Sequence, residues 1–174
     1  MGRLIQARRS QDIWTDEMDI YVDELEEELL IVQHADHEVI RNHPGDPQDI
    51  LHVNQAMHAA ATIAFYTRLR DVPFTSTLIR KSVAEVQREA LCVEPDSLSS
   101  RALVFSLYIA GCEAVDGSMR EMISGRISEC KDYAALKTED IRSQLSQIWD
   151  IRDRNPGFTW LQWSEQGKFR PSGG

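Results

Sequence analysis

Metal ligation is the first chemistry to test, because His34, His37 and His43 fall within QHADHEVIRNHPGD beside Asp36 and Glu38. A zincin helix needs HExxH, with its histidines four apart on one side. His37-Glu38 is instead followed by His43 six positions on, which puts the two about 120° out of phase on a helix. The group reads as solvated, mildly titrating histidines, and His52 and His58 as surface or core-edge residues. Nucleophilic chemistry fares no better. The three cysteines, Cys92, Cys112 and Cys130, are odd in number, widely spaced and without a CxxC pair, a pattern of neither a disulfide framework nor a zinc site and one that suggests a reducing compartment. No GxSxG, GxxxxGK[ST] or GxGxxG motif occurs. One charged residue stands out: Glu113, set in LVFSLYIAGCEAV. A carboxylate in so apolar a run is costly unless paired, so an arginine partner is expected, with Arg101, Arg120 and Arg126 as candidates. With no second catalytic group beside it, Glu113 reads as a knot fixing helix register rather than as an acid or base. Trp149, Trp160 and Trp163 read as core and lid.

The element that carries Glu113 organises the rest. Between Ala102 and Val115 only Ser106, Gly111 and Glu113 break the apolar character, and apolar residues fall on every face, the mark of a buried helix. It is too short to cross a bilayer. Its second half, Ala110 to Ala114, is small enough for a neighbouring backbone to come close. Asp96, Ser97 and Ser99 offer caps before it, and Asp116-Gly117 breaks it.

Around this rod the spacing predicts five more helices. The first carries Trp14, Met18, Tyr21, Leu25, Leu29 and Val32 as one stripe. Eight acidic residues crowd Asp16 to Glu28, read first as a solvated outer face and alternatively as a surface that docks a basic partner or serves as an activation segment. Pro44 and Gly45 stop that helix, and Asp46 with Pro47 starts the next. The second runs to about Arg70 with Ile50, Val53, Met57, Ala60, Ala61, Ala64, Phe65 and Leu69 inward. A turn through Pro73 leads to a third, with Leu78, Ile79, Val83, Val86, Ala90 and Leu91 inward, ending before Pro95. A helix from Ser118 to about Asp132 buries Met119, Met122, Ile123 and Ile127. The last, capped by Thr138, buries Ile141, Leu145, Ile148 and Trp149 up to Pro156-Gly157. A final turn over 159–164 lays Trp160 and Trp163 on the bundle. No strand pattern appears, so the fold is all-α: an irregular bundle of about six helices around a buried central helix. Residues 1–11 and 168–174 read as disordered tails, and 12–167 as one helical domain.

With 174 residues, 42% hydrophobic and 27% charged, one globular domain with a real core is in reach. A formal charge of −9 argues against direct nucleic-acid contact, since phosphate binding runs on basic side chains.

The wording SLYIAGCEAVDGSMREMI resembles the most recognisable segment of the fungal-specific transcription factor regulatory domain, found C-terminal to a six-cysteine zinc cluster in fungal regulators. HVNQAMHAAATIAFYTRLRD upstream and IRSQLSQIWDIRDRNPGFTWLQW downstream are similar to the same family in the expected order. Gly111, Glu113 and Ala114 match the family segment, and Trp149 and Trp160 match its downstream tryptophans, which makes these five the residues carried over as packing or regulatory positions. The resemblance implies a nuclear protein that modulates transcription through protein or effector contacts. Its partners would be transcriptional co-regulators or the DNA-binding part of a full-length regulator, with a homodimer among the arrangements it admits, and no membrane contact. The six-cysteine cluster and its basic linker are absent from these residues. Zinc therefore belongs to the family's full-length form, and no cofactor is expected in this chain. A helical adaptor without a transcriptional role, or a small metal-dependent enzyme built on His34, His37 and His43, stand as alternatives.

Overall fold

A computed structural model describes residues 15–39, 47–130 and 137–165. Among them are seven α-helices and one 3-10 helix, and no strand. In chain order they are α1 (Asp16–Val39), α2 (Pro47–Arg68), α3 (Thr77–Cys92), the 3-10 helix (Leu98–Ala102), α4 (Leu103–Glu113), α5 (Gly117–Glu129), α6 (Thr138–Arg154) and α7 (Trp160–Glu165). The fold is all-α, as the periodicity predicts. The expected tails, the Trp14 end of the first stripe, the Asp46 cap and the side chains of His34, His37 and His43 lie outside what the structure describes.

The central rod is α4. Nine of its eleven residues are buried, because α2, α3, α5 and α6 all pack on it. The other two are Phe105, at 56% exposed, and the half-buried Tyr108. The chain enters α4 through the 3-10 turn, where Ser100 Oγ donates to the Ser97 carbonyl at 2.8 Å. Ser97 takes the cap position there without a side-chain cap bond. At the far end Ala114 leaves the helix with ψ 130°, and Asp116 caps α5 by accepting the Met119 N–H at 3.0 Å. That N–H bond, followed by the Arg80 and Ser118 hydrogen bonds, holds the Asp116 carboxyl below its usual range.

Two apolar clusters result. The main one gathers Ile63, Ile79, Val83, Leu107, Ile123, Leu145, Ile148 and Trp163 with their neighbours around α4. The second is small: Val22 of α1 meets Phe65 and Leu69, with Met18, Leu25 and Leu29 beside them. α1 packs chiefly on α2, so only a narrow seam of it is covered. This corrects the expected stripe. Tyr21 and Val32 are 47% and 48% exposed, while the unexpected Val22 is buried. Met57, Leu78 and Leu91, expected inward, are also exposed. Leu78 and Leu91 sit in the first and last turns of α3, outside its buried stripe of Ile79, Val83, Val86 and Ala90. Thr138 does not cap α6: Lys137 occupies that position, without a side-chain cap bond.

Candidate functional site

The C-terminal end of α4 is where the chain places its costly polar groups. Glu113 is 4% exposed, and its Oε2 accepts from Arg152 Nη2 at 3.4 Å. The partner is therefore Arg152, not Arg101, Arg120 or Arg126. Arg101 is exposed on the 3-10 turn. Arg120 donates to the Ala114 carbonyl at 3.3 Å and pairs with Asp153. Arg126 donates to the carbonyls of Ala90 and Val93 at the end of α3. Arg152 wins because it continues the buried stripe of α6 (Ile141, Leu145, Ile148, Arg152), which faces α4.

Arg152 holds more than Glu113. Its Nε donates to the Phe158 carbonyl at 3.1 Å, and its guanidinium lies 4.4 Å over the Phe74 ring. One side chain thus ties α6, the end of α4, the loop before α7 and the loop after α2. Arg68, on the last turn of α2, is buried and stacks 3.9 Å over the Trp160 ring. A desolvated guanidinium on an aromatic face is stabilised by roughly 2 kcal/mol.

Electrostatically the region is dominated by burial. Desolvation raises the Glu113 pKa to about 7, against the opposing pull of Arg152 and then Arg68. The same desolvation lowers that of Arg152, against the pull of Glu113. Both shifts favour the less charged pair, as expected when two ions leave water together. Burial also pushes the Cys112 thiol and the Tyr108 hydroxyl upward, so Cys112 stays a thiol and offers no nucleophile.

Four of the five carried-over residues meet at this end. The Gly111 carbonyl accepts from Trp149 Nε1 at 2.8 Å and from the Ala114 N–H at 3.2 Å. A Cβ on Gly111 would lie 2.8 Å from Leu145 Cδ1, so any larger residue there must displace the buried Leu145 side chain. Ala114 is fully buried. Trp149 is half-buried, with Arg120 5.7 Å over its ring. Trp160 stands apart from them, its ring under the Arg68 guanidinium, whose charge acts on Glu113. The sequence reading missed Arg152, Arg68 and Phe74. For the two arginines a signal existed: each falls four positions after a buried apolar residue on a continuous stripe, Ile148 and Ala64 respectively.

Beside Glu113 opens a cleft of about 370 Å³ lined by Thr67, Asp71, Val72, Pro73, Phe74, Glu113, Gly157 and Thr159. Its walls are the loop after α2, the end of α4 and the loop before α7. Asp71, at φ 54°, is the left-handed residue that turns the chain out of α2. The cleft is of ligand size. Among the described residues no group of three or more His, Cys, Asp or Glu could hold a metal, and no helix is long and apolar enough to cross a membrane.

A model of the fungal specific transcription factor domain family matches residues 1–170. No curated protein and no solved structure matches the chain.

Proposed function

Since the chain belongs to the fungal specific transcription factor domain family, we propose that it is a regulatory region modulating transcription by contacts at the Glu113 end of α4. The family is one of transcriptional regulators, nuclear in its general role and not a family of enzymes. The observation that carries the finer reading is the cleft beside Glu113. A carboxyl with a pKa near 7 sits in its wall, backed by an arginine that holds four chain segments. A small effector or a peptide side chain entering there changes the hydration of Glu113, and through Arg152 it shifts the packing of α4, α6 and both flanking loops. The net charge of −9 favours protein and effector contacts over contact with phosphate backbones.

The test is a fusion of the full 174-residue chain to a heterologous DNA-binding domain, read by reporter transcript level. The fusion is expected to change output several-fold relative to the DNA-binding domain alone, and Phe74→Ala, at the cleft wall, is expected to alter that change while circular dichroism stays native. Output equal to that of the DNA-binding domain alone sinks the regulatory reading in favour of a helical adaptor. A Phe74→Ala fusion that is folded and unchanged in output sinks the assignment of the cleft.

A further inference from the structure

We infer that the outer side of α1 is a docking face for a cationic amphipathic helix of another protein. The apolar residues exposed on α1 come in two groups. Ile20 and Tyr21 lie near the start at 59% and 47% exposed, and Leu30, Ile31 and Val32 lie further on at 50%, 65% and 48%. Ile20 and Ile31 are eleven positions apart, which returns them to the same side of the helix within about 20° and separates them by about 16 Å. Between them on that side stand Glu24 and Glu27, both exposed. The side of α1 that faces α2 is a different one, centred on Val22. There Tyr66 donates to Glu26 at 2.6 Å and Arg70 bridges Glu26 and Asp23, so the helix is pinned with its outer face held outward.

Charge selects the occupant. Eight carboxylates between Asp16 and Glu28, with no lysine or arginine among them, repel nucleic acid and anionic lipid surfaces. A second copy fares no better, because pairing α1 with itself sets one acidic middle against another. A helix with apolar residues about eleven positions apart and lysine or arginine between them is complementary in both pattern and sign. Because α1 is already folded and anchored, such a partner meets a pre-organised face. This face shares no residue with the cleft beside Glu113.

The experiment measures anisotropy of labelled helical peptides of about 18 residues with the full chain. One carries leucines at the matching ends and lysines between; a second replaces the leucines by serine, and a third the lysines by glutamate. The leucine–lysine peptide is expected to bind at least tenfold more tightly than either control, weakening severalfold as salt rises from about 50 to 300 mM. The doubly exposed variant Ile20→Ser/Ile31→Ser, with an unchanged circular dichroism spectrum, is expected to lose at least tenfold in affinity. Equal binding of the serine peptide, which reduces the face to bulk charge, overturns the inference, as does a variant that binds like the native chain. Sedimentation showing self-association, or flotation with phosphatidylserine vesicles, that the variant abolishes also overturns it. Reporter output insensitive to Phe74→Ala alongside intact peptide binding removes the cleft reading and leaves this one standing.

Discussion

The indole N–H of Trp149 donates to the carbonyl of Gly111 at 2.8 Å, joining α6 to the last turn of α4 at the one place where α4 lacks a side chain. The two residues depend on each other. The missing Cβ lets Leu145 press against α4, and that approach brings the indole within reach of the carbonyl. Trp149→Phe keeps the ring and loses the donor, while Ala114 still bonds the carbonyl. It is expected to cost about 1 kcal/mol, read as a lowered urea midpoint.

Gly111→Ala is expected to destabilise by about 1–3 kcal/mol through overpacking against Leu145, despite the better helix propensity of alanine. The signature is rescue. In a Leu145→Val background, where the crowding δ-methyl positions are gone, Gly111→Ala should cost far less than in the native chain. A cost that is the same in both backgrounds would mean that something other than this contact requires glycine.

Glu113 makes stability depend on pH. Its folded pKa of about 7 lies above the ordinary 4.5, so the folded state holds a proton that the unfolded chain has released. The contribution is fully present below pH 4.5 and is lost as pH rises towards 7, on the order of 3 kcal/mol in total. Glu26 and Asp116 are shifted the opposite way, and the stability they add disappears at the acid end instead. The difference between native chain and Glu113→Gln across pH 5 to 8 isolates the Glu113 part. The native chain is expected to lose stability relative to the variant over pH 5 to 7 and to track it above that. Glu113→Leu, which leaves Arg152 buried without its carboxylate, should cost about 3–5 kcal/mol.

Arg126 is 4% exposed and donates to two carbonyls at the end of α3, Ala90 and Val93. It does for α3 what a C-terminal glycine cap does elsewhere. Arg126→Met keeps the aliphatic stem and removes the donors, so it is expected to cost about 3 kcal/mol. Hydrogen exchange should quicken first in the last turn of α3.

α1 is held by few contacts, which makes its attachment separable from the core. Val22→Ala is expected to weaken it by about 2 kcal/mol, read as faster amide exchange over residues 16–32 with α4 protection unchanged. Uniform loss of protection throughout the chain would show that α1 and the main core unfold together.

The helix count, the breaks at Asp116-Gly117 and Pro156-Gly157, and the burial of α4 are written in the sequence, because they follow from local rules. Apolar residues on every side can only be covered by neighbours, and Asp116-Gly117 and Pro156-Gly157 each pair a turn-former with a glycine, which disfavours carrying a helix across them. That Glu113 needs a cation was legible too, since an apolar run announces the cost of a charge. Which cation answers was not: Arg120 and Arg126, near in sequence, point to backbone carbonyls instead, and Arg152, 39 positions away, arrives because the stripe of α6 faces α4. The outward side of α1 was decided in the same manner. A stripe read from spacing marks every apolar residue within reach of a face, whereas the width of the actual contact depends on how many helices pack there, and α1 leans chiefly on α2.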